Sequence, residues 1–388
     1  MADGIGSPFA GFRAMGRRGG TFSPLSLFSG GESGLWYDPS PTTCWQDASA
    51  TTPAGVGDPV GFLLDQSQGA GVSGGEFTGL GADVHTDPDF NDSDSWLLFP
   101  DQWTVSGGVA TLVDPGLRYS LEAAGGASLA VGTAYLVTVN VTNDGGLGVS
   151  VRDDDAGIVY GPFSAGTSRF VVTASGTNPL QLRPFTLGTG TIVVESFSCE
   201  ELPGHHATQP IATARPTLGQ DASGAYYLDY DGIDDWLSLS GTWATDMSIV
   251  FGLSPHLTDT DLQILFAGQS DVPPYLFLYE DGSTVEQISR DAGSPTFAFN
   301  NSTFTGTTRG ELFDAITAAA PSVCEITGAD MATDPEWNVM QISGYRGTAT
   351  IFGSYRGKIY SIVMRENLSV GERIATRRYV ASATGVSL

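Results

Sequence analysis

The groups in this chain whose types could do chemistry are its histidines, its clustered carboxylates, its cysteines and a set of aromatics with polar neighbours. The four histidines are His85, His205, His206 and His256, and only the adjacent pair is notable. Neighbouring imidazoles can ligate a metal, but a hydrogen bond that closes a loop uses them equally well. Asp87, Asp89, Asn91 and Asp94 mimic the start of a calcium loop, in which hard oxygen ligands alternate along the chain. An EF-hand needs Gly at its sixth position and Glu at its twelfth, where this stretch has Asp92 and Leu98, so it is no EF-hand. Asp231, Asp234 and Asp235 form a second acidic group, readable as a metal site or as an Asp-Gly turn with solvated carboxylates. Cys44, Cys199 and Cys324 are odd in number and widely spaced, which indicates neither a disulfide framework nor a zinc site but buried free thiols. No dinucleotide or phosphate-loop motif occurs.

Carbohydrate recognition needs exposed aromatic planes for the apolar sugar faces, with carboxylates or amides nearby for the hydroxyls. Trp96, Trp103 and Tyr119 are the candidate planes, with Asp101, Asn140 and Arg152 as polar partners. Each such aromatic competes with a role in the core, where large aromatics usually reside.

The elements that must position these groups are strands. Gly makes up 51 of 388 residues and Lys358 is the one lysine, a composition of short strands and tight turns that predicts an all-β fold. Leu136–Val141, Leu147–Arg152, Ile158–Tyr160, Arg169–Thr173 and Thr191–Phe197 read as one set of strands. Ala225–Tyr230, Ser248–Leu253, Gln263–Phe266, Tyr275–Tyr279, Thr348–Phe352 and Lys358–Met364 read as another. One helix is expected, at the C-terminus: Ser369 with Glu372 forms a capping box, Ile374, Tyr379 and Val380 recur at near-helical spacing, and Gly385 closes it as a packing lid.

A net charge of −26 repels nucleic acid and anionic membranes, and no apolar run approaches membrane-spanning length. The charge is uneven. Residues 1–30 carry Arg13, Arg17 and Arg18 against Asp3, residues 339–388 carry seven basic against two acidic residues, and the middle holds a net −33. Residues 1–30 are rich in Gly and lack periodicity, so they predict an extended arm that docks on something acidic while the middle faces solvent. No basic and apolar leader opens the chain, which predicts synthesis in a cytoplasm without a signal peptide.

The stretches GLWYDPS (34–40), DPVGFLLDQSQG (58–69), HHATQPIATARPTL (205–218), YYLDYDGIDDWLSL (226–239) and GKIYSIVMRENLSVGERIATRRYV (357–380) resemble the concanavalin A-like, laminin-G-like domains of phage virion proteins. In that family the text running through DQSQG and GHHATQ is continuous, whereas here it breaks at Gly69 and resumes at Gly204. The text between resembles a jelly-roll carbohydrate-binding module. The resemblance therefore implies an arm at 1–30, a discontinuous sandwich at 31–80 and 203–388, and an inserted jelly roll at 82–202. It also implies structural Ca2+ at Asp87, Asp89, Asn91 and Asp94, with Trp96 in the core. Glycosidases of this fold carry an E-x-D-x-x-E strand text, which is absent, so the chain reads as a non-enzyme. The expectation is a virion head spike or fibre that holds other virion proteins through its arm and binds host polysaccharide with the inserted domain. A purely structural decoration protein and a glycan depolymerase are the rival readings. The sequence leaves open whether the chain forms a homo-oligomer.

Overall fold

The computed structural model describes residues 22–388 apart from 100–101, 118, 125–127, 257–261, 270–272, 344, 347–350 and 353. Arg13, Arg17, Arg18 and Asp101 lie outside the described residues. The fold is all-β: two antiparallel sandwiches, one carried on a loop of the other.

In the outer sandwich, one eight-stranded sheet is centred on Arg356–Glu366, which pairs with Gly34–Tyr37, Tyr226–Asp231 and Met247–Pro255. The facing sheet, also eight-stranded, runs through Phe62–Leu63, Ala207–Thr208, Leu237–Ser240, Val339–Ile342, Gln263–Gly268 and Tyr275–Tyr279. Between them lie Phe251, Phe266, Phe277, Trp337, Ile362 and Met364, all buried. The Arg356–Glu366 strand is buried on both sides. Its Ile362 and Met364 face this core, and Val363 faces a helix on the other side.

That helix is α2, Val370–Thr384, with the expected capping box from Ser369 and Glu372 and a left-handed Gly385 at its end. Val380 and Ala381 pack on Val250, Val323 and Val363, whereas Ile374 faces solvent. Three basic residues of this segment are committed internally. Arg365 bridges Glu32 at 2.8 Å and Glu372 at 2.9 Å, and Arg373 and Arg377 share the buried Glu325 at 3.6 and 3.3 Å. The folded body also begins earlier than an arm of 1–30 would have it. Pro24–Phe28 forms a 3-10 helix whose Leu27 and Phe28 are buried in the cluster under α2, and Phe22 meets Tyr379 edge to face.

A second helix, α1, spans Arg309–Ala319 and was not expected from the sequence. Thr308 and Glu311 make a second capping box, and Leu312, Phe313 and Ile316 face the core at helical spacing. Gly310 sits in the first turn of α1, where a Cβ would meet the Ser283 carbonyl oxygen at 2.7 Å.

The inserted sandwich has two five-stranded sheets. One orders Gly166–Thr173, Ala134–Asn143, Thr191–Leu202, Val109–Val113 and Trp103–Ser106, and the other Ile158–Phe163, Val149–Asp153, Gln181–Pro184, Ser120–Ala123 and Trp96–Phe99. Along Ala134–Asn143 the residues Tyr135, Val137 and Val139 enter the guest core, while Ala134 and Leu136 point the other way. Leu136 pairs across the sheet with Val171, and both pack with Leu202 on Trp45, Phe62 and Leu64 of the outer sandwich. A short hairpin, Gly71–Ser73 with Glu76–Thr78, completes this cluster, its Phe77 stacked on Trp45 at 4.9 Å. Burying Leu136 and Val171 here stabilises the docked arrangement by about 3–6 kcal/mol. The guest is thus seated on its host by a shared apolar cluster, with Val171 N–H donating to the Ser49 carbonyl at 2.6 Å.

Candidate functional site

The residues expected to bind sugar do not converge. Trp103 is only 1% exposed, and its indole N–H donates to the Tyr119 carbonyl at 3.1 Å. The alternation of its strand, in which Trp103 and Val105 turn inward and Thr104 and Ser106 outward, places the ring in the guest core, so it offers no face to a sugar. Tyr119 packs against the same core. Asn140 donates to Glu195 at 2.8 Å in one sheet of the guest, and Arg152 pairs with Asp154 in the other. Trp103→Ala is therefore expected to lower guest stability by about 3–5 kcal/mol in denaturant titration, the cost of emptying a core site, and not to act on affinity in a folded domain.

The residues expected to hold calcium are not drawn together in the fold. Asp87 spends its oxygens on the Asn91 and Asp92 amides and the Trp96 indole, so it folds its own loop, and Asp94 gives its backbone N–H to Asp92. Asp87, Asp89 and Asp94 do not gather their carboxylates. Among the described residues the one trio that does is Asp231, Asp234 and Asp235, within 4.8 Å of one another. Its all-oxygen donor set suits a hard cation such as Ca2+. Yet Asp231 already accepts from the Ile233 amide at 2.7 Å and Asp235 from the Asp231 amide at 2.9 Å, the bonds of a self-closed turn. Burial first, then repulsion from Asp231, Asp234 and Asp229, raises the Asp235 carboxyl to about 7.

A concave site lies at the neck of the insertion. Asp65, fully buried, accepts from the amides of Trp36 (2.8 Å), Ser67 (2.9 Å) and His205 (2.7 Å) and from the Ser67 hydroxyl (2.9 Å). It thereby ties the chain before the insertion to the chain after it. Gly204 is required between them: its φ is +126° and a Cβ would meet Asp65 Oδ2 at 2.9 Å. His206 binds the same two segments through its ring. The Asp65 amide donates to Nδ1 at 3.0 Å, and the Leu202 carbonyl accepts from Nε2 at 3.0 Å, which demands the neutral Nε2–H tautomer.

His205 faces the other way. Its carbonyl accepts from the Tyr37 hydroxyl, its Nδ1 meets the Ser240 carbonyl at 2.9 Å, and its ring leans on the buried Trp243 at 4.9 Å. With Nδ1–H donating, Nε2 remains as an acceptor. On the guest side the turn at Val131–Thr133 is set by Gly132 N–H donating to the Ala174 carbonyl and by the Tyr135 hydroxyl accepting from the Ala130 amide. Between the turn and His205 opens a cleft of about 600 Å³, within the usual range for small-ligand sites. Gln68, Thr133, Glu201, Thr242 and Asn338 supply amides, hydroxyls and one carboxylate, and Val131, Pro203 and Val339 supply apolar wall. Sequence reading missed this cleft because its lining comes from five separated segments. The resemblance text did single out His205 and His206, as closers of a loop.

These buried imidazoles make a pH prediction. Burial lowers both His206 and His85 below 6.5, outweighing the raising influence of Asp65 and the Leu202 carbonyl on the first and of the Phe197 carbonyl and Asp83 on the second. The unfolded chain then holds the extra protons, so this stability is complete above pH about 6.5 and is lost as pH falls below it. Asp235 acts oppositely, losing stability as pH rises from 3.8 towards about 7. In the Asp235→Asn chain, thermal denaturation should show a midpoint that holds from pH 7.5 to about 6.5 and drops from there to pH 5. A flat profile would mean that the imidazoles are not held neutral.

No family model matches the chain, and no curated protein matches it. Among solved structures, the ANX2 ectodomain from Arabidopsis thaliana is similar at 7% identity over 67% of this chain and 84% of that one, with a TM-score of 0.19. A conserved protein of unknown function from Pseudomonas aeruginosa PAO1 is similar at 14% identity over 67% of this chain and 90% of that one, with a TM-score of 0.14. At such scores neither likeness carries an argument about fold or function.

Proposed function

We propose that the chain is a virion structural protein, a head spike or fibre, that displays a carbohydrate-binding surface for attachment to host polysaccharide. The observation that supports this most is the cleft at the neck, which exists only because the guest sandwich docks on its host. Its lining of short hydroxyls and amides beside an apolar wall suits a sugar's alternating polar and apolar faces. Among the described residues a single carboxylate, Glu201, lines it, where a glycosidase would need two across the scissile bond. This favours binding over cleavage. The reading moves the sugar site from the guest's own surface to the junction of the two sandwiches.

Binding of the whole protein to a panel of immobilised bacterial polysaccharides tests the proposal. Gln68→Trp and Thr242→Trp, both at exposed rim positions, would fill the cleft and should weaken binding at least 10-fold without changing the denaturation midpoint. Absence of binding to every glycan would favour the structural decoration reading, and release of reducing sugar would favour the depolymerase. Particle attachment is tested by removing residues 1–21, which keeps Leu27 and Phe28 in place under α2. The shortened chain should fold with an unchanged midpoint and fail to join particles. Normal incorporation would place the anchor elsewhere.

A further inference from the structure

We infer that the cleft selects saccharides that are uncharged or carry amino groups and rejects polyanionic ones such as uronate, sialate or sulfated glycans. This rests on the carbohydrate-binding reading and adds the charge class of the ligand to it. The described lining holds no Lys or Arg. Its one formal charge is the Glu201 carboxylate, which is solvent-exposed and accepts hydrogen bonds only. The imidazole facing the cleft is held with Nδ1 on the Ser240 carbonyl, leaving Nε2 as a second acceptor. Two acceptors therefore sit among amides and hydroxyls that work either way, an arrangement that takes hydroxyl or ammonium donors from the ligand.

The long-range field points the same way. Residues 31–338, which supply nearly the whole lining, carry a net −33. Two described cations of the surrounding segments are already engaged: Arg169 with Glu76 at 3.0 Å, and Arg215 with the carbonyls of Gln46, Gln209 and Pro210. An acidic polysaccharide would meet like charge on approach and find no bidentate guanidinium on arrival, the usual means of holding carboxylate or sulfate. A neutral chain meets neither penalty.

The test uses the full chain at 150 mM NaCl on surfaces of neutral glycans (mannan, dextran, galactan), an amino glycan (chitosan) and acidic glycans (hyaluronate, polysialate, heparin). Binding should be confined to the neutral and amino surfaces, should fall at least 10-fold in Gln68→Trp and in Thr242→Trp, and should fall 3- to 10-fold in Glu201→Gln. Circular dichroism on each variant separates lost binding from lost fold, and Thr242→Trp stands in if Gln68→Trp does not fold. Cleft-dependent binding to an acidic surface would overturn the charge class while leaving the carbohydrate reading intact. Neutral binding that none of the three variants weakens would overturn the assignment to this cleft. No binding to any surface would overturn the carbohydrate reading itself, and the charge class with it.

Discussion

Replacing Asp65 with alanine is expected to destabilise the protein by about 3–9 kcal/mol, because one buried and two part-buried amides would each lose a charged acceptor at about 1–3 kcal/mol apiece. The donors are those of Trp36, Ser67 and His205, which come from both sides of the insertion. Asp65→Asn should fall between wild type and alanine, since its one carbonyl oxygen can keep part of the set while its amide group presents donors to donors. Urea titration followed by tryptophan fluorescence reads the loss. A loss below about 1 kcal/mol for alanine would mean that water replaces the carboxylate and that the neck is open. Because His205 is hung from Asp65, the Asn variant should also weaken glycan binding under conditions where it remains folded.

Leu136→Asp should be the most damaging change at the sandwich junction. Leu136 lies on the second face of its strand, packed with Val171 and Leu202 against Trp45, Phe62 and Leu64. An aspartate there either buries an unpaired charge or separates the two sandwiches, losing the several kcal/mol of their contact. The expected result in calorimetry is one transition in wild type and two in the variant, with the cleft lost and the guest core intact, because Tyr135 and Val137 on the opposite face are untouched. A single unshifted transition would show that the cluster does not couple the sandwiches. For the same reason, excising residues 72–202 should leave a soluble outer sandwich only if Trp45, Phe62 and Leu64 are also made polar.

What the sequence determined by itself was local. Strand segments such as Tyr275–Tyr279 and Thr191–Phe197 are legible because β-branched and aromatic runs between turn residues have few other stable forms. The α2 helix is legible because a capping box and a closing glycine are chemical signals confined to one turn each. The inward turn of Trp103 was also present in the alternation of WTVS, and it outweighs the appeal of an aromatic beside polar residues. Helix α1 carries the same kind of cap at Thr308 and Glu311, and the close fit of its Gly310 against Ser283 is a tertiary fact. Only the tertiary structure decided the cleft. Gln68, Thr133, Glu201, His205, Thr242 and Asn338 share no motif and become neighbours only after Leu136 and Val171 find the apolar face around Phe62. Periodicity shows that a strand has two faces. Which surface meets the second face depends on how the two sandwiches pack, a long-range contact that no window of sequence contains.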